Sequence, residues 1–196
     1  MNRRLALMLA VLAMTLVACA PPPAKFRASD ITGSNFGRDF ALTDFNGKAR
    51  TLEDFRGKVV VVFFGYTHCP DVCPTTLAEL AETMKRLGSA ADNVQVLFIT
   101  VDPARDTPEL LAQYVPAFDK RFLGLRGDAD ALAKTAGEYK VIYQKQPGTT
   151  PGSYTMDHSA GTYVYDPKGR LRLYVSYGQG TDVFVHDIKA LLDGSA

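Results

Sequence analysis

The 196-residue chain contains no tryptophan and only three cysteines. The first absence removes the indole that commonly flanks a redox-active cysteine. The second leaves too few thiols for the disulfide framework that staples small secreted domains. Charge of one sign is missing too: the net charge is +1, so no broad basic or acidic field marks a nucleic-acid binder. Long hydrophobic runs are scarce. The most extended one, Leu5 to Val17, falls short of the roughly 20 residues that span a bilayer as a helix. What remains is an ordinary globular composition, 46% hydrophobic and 22% charged, in a length that fits one domain with a real core.

That apolar stretch follows Arg3 and Arg4 and ends at Leu16-Val17-Ala18-Cys19. A basic start, a short apolar core and small residues before a cysteine resemble a bacterial lipobox, in which Cys19 is acylated and becomes the new N-terminus. The expected division is a lipoprotein signal peptide over 1–18, a proline-rich tether over 19–33 and a folded domain over 34–196. An uncleaved membrane anchor, or an ordinary cleavage site beside a coincidental cysteine, would give the same pattern. In each case the domain lies outside the cytoplasm; on the lipobox reading it is lipid-anchored in a bacterial cell envelope. With Cys19 carrying lipid, only Cys69 and Cys73 remain, and a disulfide across so short a loop adds little stability. A lone close pair in an oxidising compartment is read as a working pair.

Beyond the tether, strand and helix signals alternate. Asn46-Gly47 joins two short strands, Asp39–Thr43 and Ala49–Thr51, as a hairpin. Val59 to Phe64 is a continuous apolar run, as expected of a central strand covered on both faces. Leu77, Leu80, Ala81, Met84 and Leu87 recur at helical spacing before Gly88. A second buried strand runs from Val94 to Val101, and Thr107-Pro108-Glu109 opens another helix. A short strand at 122–125, a helix over 130–139, a Gly/Pro loop over 146–152, a hairpin across Asp166–Gly169 and a last helix from Thr181 complete the pattern. It predicts an α/β class: a thioredoxin-like fold, a central mixed sheet flanked by helices, with an N-terminal β-hairpin extension.

The chemistry centres on Thr67-His68-Cys69-Pro70-Asp71-Val72-Cys73-Pro74, placed between the apolar run and a helix start. There the helix dipole and free amides favour a thiolate, which serves either dithiol exchange or metal ligation. Three residues separate the thiols, where thioredoxin-type redox sites use two. His158 ends the Gly/Pro loop, at a place where thioredoxin-like redox proteins bring a proline beside the thiols. Two thiolates and an imidazole suit copper in either redox state. Zinc would want a fourth donor in a closed site, and none stands out. Asp157 is equally a partner orienting His158 or a turn residue, and Met156 reads as packing. Asp71 is a candidate helix cap, Asp102 to Pro108 a turn and cap. His68 is expected to point away from the site and His186 to face solvent.

Gly65 to Pro74, Val101-Asp102-Pro103-Ala104-Arg105-Asp106-Thr107-Pro108 and Asp157-His158-Ser159 together resemble the signatures of the Sco/SenC family, from about Phe36 to the C-terminus. The resemblance implies a membrane-tethered thioredoxin-like domain that binds one copper ion, Cu(I) or Cu(II), and serves cytochrome c oxidase assembly. It places the ligands on Cys69, Cys73 and His158, subunit II of the oxidase as partner, and a further periplasmic copper chaperone as a second one. Three functions stay open on the residues: a copper carrier, which is not an enzyme; a thiol-disulfide oxidoreductase using Cys69 and Cys73 on the cysteines of subunit II; and a peroxidase or copper-redox sensor. The missing tryptophan counts against both enzyme readings, and a reduced dithiol keeps exchange chemistry available.

Overall fold

The computed structural model describes residues 25–194; Cys19 and the expected signal peptide lie outside them. In chain order the elements are β1 (Ser29–Asp30), β2 (Leu42–Asp44), β3 (Ala49–Arg50), β4 (Val59–Gly65), α1 (Val72–Leu87), β5 (Val94–Thr100), α2 (Pro108–Tyr114), β6 (Leu123–Arg126), α3 (Ala129–Tyr139), β7 (Tyr143–Pro147), β8 (Tyr154–His158), β9 (Thr162–Tyr165), β10 (Leu171–Val175) and α4 (Thr181–Leu192). Eight strands form one mixed sheet in the order β1-β10-β9-β4-β5-β6-β2-β3, while β7 and β8 pair only with each other.

The apolar run at 59–64 becomes β4, buried at every position. Successive residues reach opposite faces of the sheet. The Phe64 ring packs on Tyr139 of α3, and the Phe63 ring on Phe98. A strand loaded on both faces this way can only sit in the middle, and β4 pairs parallel with β5 and antiparallel with β9. Helices α1 and α4 pack together, burying Leu77, Leu80, Met84, Phe184, Ile188 and Leu191.

Local signals hold where they are chemically explicit. Gly88 stops α1 with a φ of 60°, which a glycine adopts without a Cβ penalty. The Thr107 hydroxyl accepts from the Leu110 amide, with Pro108 opening α2. Asp128 caps α3 by accepting from Ala131. The first hairpin turns through Asn46-Gly47 as expected, with β2 shifted to Leu42–Asp44.

Two expectations are corrected. The tether was expected to reach residue 33, with the domain beginning at 34. Instead β1 joins the sheet edge beside β10, and the Arg27 and Ala28 amides donate to the buried Asp187 carboxylate. The Gly/Pro loop is the tip of a ribbon: β7 and β8 pair from Tyr143↔His158 to Pro147↔Tyr154.

Asp44 shows what holds the far edge. Its buried carboxylate accepts from the Asn46 and Lys48 amides and from the Arg50 guanidinium. Burial alone would raise its pKa; those donors outweigh it and hold the group below 3.8. Asp44→Ala is expected to cost about 2–3 kcal/mol at neutral pH, read by urea denaturation. A folded pKa below the unfolded one stabilises above 3.8 and loses that contribution as pH falls through the folded value, so the wild-type advantage shrinks in acid.

Candidate metal centre

The site is built where β4 runs out. After Gly65 the chain turns, with the Cys69 amide donating to the Tyr66 carbonyl, and α1 begins at Val72. Cys73 therefore falls in the first helical turn, fully buried, while Cys69 sits half-buried in the turn before it. Asp71 occupies the cap position expected of it, yet its side chain makes no cap bond. The Cys73 amide donates to the Cys69 sulfur instead, at 3.4 Å, so a group that a cap would consume is directed at a thiol. Gly65 makes room for the other one: a Cβ there would lie 2.9 Å from Cys73 Sγ and 2.8 Å from the Phe98 ring.

His158 arrives from β8. Its Nε2 lies 3.5 Å from Cys73 Sγ. Its Nδ1 lies 3.0 Å from the Ser159 carbonyl, which can only accept, so Nδ1 carries the proton and the Nε2 lone pair faces the sulfurs. Phe63 and Tyr66 meet the ring edge-on at 6.3 and 5.9 Å. Burial pulls the His158 pKa below 6.5, against the Ser159 carbonyl and the Asp157 charge. The ring is thus neutral at neutral pH, the form that binds metal. Cys73 moves the other way: burial first, then the neighbouring Cys69 and Asp106, push its thiol above 9.0. The donor atoms of Cys69, Cys73 and His158 all lie within 4.8 Å of one another, the one such trio of His, Cys, Asp or Glu among the described residues.

Other sequence candidates separate clearly. Asp157 is exposed, because burial along β8 alternates and sends it to the face opposite His158. The Ser159 carbonyl orients the imidazole in its place. Met156 packs against the core, as expected. His68 is half-exposed and contacts Thr67 and Asp106 rather than the thiols. His186 pairs with Asp187 away from the site. The turn at 102–106, read as a turn and cap at a strand end of the kind that often faces a site, lies beside the cysteine loop. Asp106, fully buried, accepts from both the amide and the hydroxyl of Thr67. Tyr154 was missed, although it precedes His158 by the even spacing that puts two residues on one strand face.

Two soft sulfurs and one neutral imidazole fit a single soft metal ion with an open coordination position. Fold and site together define a thioredoxin-like domain carrying a Cys-Cys-His donor cluster at the end of its central strand. The chain belongs to the SCO1/SenC family, whose sequence model matches residues 28–193. The mitochondrial SCO2 homologue of Bos taurus is 39% identical over 153 residues, which cover 77% of this chain and 58% of that protein. The chain thus spans little more than half of that relative. The SCO2-like protein of Rickettsia felis is 32% identical, covering 85% of this chain and 83% of its own. Among solved structures, copper-bound ScoI of Bradyrhizobium japonicum is 43% identical with a TM-score of 0.73, over 80% of this chain and 99% of that one. Apo Sco1 of Thermus thermophilus is 42% identical with a TM-score of 0.76, over 86% and 98%.

Gly65→Ala tests the packing beneath the thiols. Overfilling this spot is expected to cost about 1–3 kcal/mol in chemical denaturation and to weaken soft-metal binding by displacing Cys73. Unchanged stability and binding would show that the contact is slack.

Proposed function

We propose that this protein is a copper carrier of cytochrome c oxidase assembly, not an enzyme. It holds one copper ion through Cys69, Cys73 and His158 and delivers it to the binuclear copper centre of subunit II. The observation that carries this reading is the convergence of three donors, from two separate parts of the chain, within 4.8 Å. The copper bound by the 43% identical Bradyrhizobium japonicum protein supports it. So does the donor set: thiolates favour Cu(I), and imidazole keeps Cu(II) acceptable. Three protein ligands leave a side open to an incoming partner's donors, which suits a carrier that takes metal from another periplasmic chaperone and gives it up again. Acylation at Cys19 would hold the domain to a membrane of the cell envelope, with residues 20–24 as spacer.

A second reading has its own observation. One thiol is half-exposed and its neighbour fully buried, an asymmetry that suits dithiol exchange: the exposed sulfur attacks a partner's disulfide, the buried one resolves the mixed disulfide, and two electrons and two protons pass to the partner. Replacing the imidazole separates the two. His158→Ala is expected to weaken copper binding by more than the roughly 10–100-fold that losing a supporting partner costs, while a Cys69–Cys73 disulfide still forms. Anaerobic titration of the reduced protein with Cu(I) and Cu(II), monitoring the thiolate-to-copper absorption, measures this. Wild-type affinity in the variant would remove His158 from the ligand set.

Acid should oppose binding. Because Cys73 holds its proton at neutral pH, metal must displace it, so Cu(I) affinity is expected to rise about tenfold per pH unit across neutrality from this proton alone. An affinity flat with pH would contradict a Cys73 ligand.

A further inference from the structure

The third donor stands on an element that the sheet does not hold. β7 and β8 form their own two-stranded ribbon, and an isolated pair of strands is marginally stable in water. Tyr143 and Met156 pack it against the core, and a set of polar contacts ties it to the cysteine loop as well.

The turn between β5 and α2 reaches both halves. Toward the ribbon, Arg105 Nη1 donates to the Tyr154 carbonyl at 3.0 Å and its Nε to Asp102. The Tyr154 hydroxyl donates to the other Asp102 oxygen at 2.9 Å. The Tyr154 ring lies between two cations, with Arg105 and Lys145 each 3.6 Å from its centre. Toward the cysteines, Asp106 accepts from the Thr67 amide at 3.1 Å and its hydroxyl at 2.6 Å, with Thr100 donating to the same carboxylate. The turn itself is closed by the Arg105 and Asp106 amides donating to the Asp102 carbonyl.

We propose that residues 102–106 are a bracket that sets the separation between the cysteine pair and His158, with Arg105 and Tyr154 as positioning residues. Its consequence for copper rests on the proposed ligand set; its mechanics do not. Asp106 holds the loop that carries Cys69, and the Asp102–Arg105 pair holds the ribbon four residues before the histidine. Charge-assisted bonds and a stacked guanidinium provide a defined geometry, which backbone pairing alone would leave loose.

The test uses the full chain with three substitutions. Tyr154→Leu removes ring and hydroxyl, Arg105→Lys keeps the charge but loses the fork, and Tyr154→Phe keeps the stack and loses only the bond to Asp102. In metal-free protein, amide exchange across 143–158 is expected to speed up about tenfold or more in the first two, with β4 and β5 unchanged. Cu(I) affinity should fall about 10–100-fold, with a shifted Cu(II)–thiolate band, and Tyr154→Phe should recover most of both. Cys69–Cys73 disulfide formation should keep its wild-type rate. Ribbon exchange at the wild-type level would overturn the bracket, and so would β4 and β5 loosening together with the ribbon, which marks a general loss of stability. If the wild-type chain binds no copper, the carrier reading fails on its own, and the exchange data alone decide the bracket.

Discussion

The parallel ladder between β4 and β5 runs in register from Val59↔Val94 to Gly65↔Thr100, and everything at the site hangs from where it stops. Parallel strands end on the same side of a sheet, so the loops that leave them become neighbours however far apart they are in sequence. The Val101 amide closes this edge by donating to the Gly65 carbonyl. That is why Asp106, after β5, can take both polar groups of Thr67, after β4. The apolar side chains of β4 drive the pairing through burial on both faces. A charged substitution deep in this strand would thus undo the site from a distance, through loss of the edge on which both loops stand.

The same burial governs the electrostatics. Cys73 lies in the apolar floor left by Gly65, Phe63 and Phe98, and low polarity there disfavours a bare thiolate. His158, partly enclosed by Phe63 and Tyr66, is kept neutral for the same reason. Burial therefore acts oppositely on the two groups: it favours the neutral imidazole and keeps the proton on the thiol. On the proposed ligand set, a cation held between them would replace that proton and supply the charge the pocket lacks. Without one, the apolar floor resists ionisation of Cys73, leaving the more accessible Cys69 as the thiol better placed for exchange.

Legibility in the sequence followed how local each cause is. The central strand, the cysteines at the start of α1 and the caps at Thr107 and Gly88 rest on neighbours within a few residues, and they could be read. The N-terminal strand could not: Ser29 and Asp30 are polar, and what holds them includes a carboxylate at Asp187, near the other end of the chain. The β7–β8 ribbon was obscured by Gln144, Lys145 and Gln146, whose polarity reflects largely solvent-facing positions. Resemblance and position singled out His158 as a ligand, whereas the face taken by its neighbours needed the strand to be known. Asp157 read equally as a partner of His158 or a turn residue; it sits on the opposite face of β8 and reaches the imidazole only through its charge. Ser159 offered only a backbone carbonyl, which no side-chain pattern reveals.

On the proposed ligand set, placing one donor on a ribbon and two on the body also bears on release. Cys73 is tied into α1 and the sheet core, so moving it would cost buried area and packing. His158 stands on a two-stranded element whose alternate β8 positions are exposed and which meets the core through Tyr143 and Met156, so shifting it would disturb less packing than shifting Cys73. On the proposed ligand set, an incoming partner that competes for the metal therefore meets the least resistance at the imidazole, with both sulfurs still holding. On the proposed carrier role the ion must be both held and released, and dividing the donors between a packed body and a bracketed ribbon would serve both demands with a single fold.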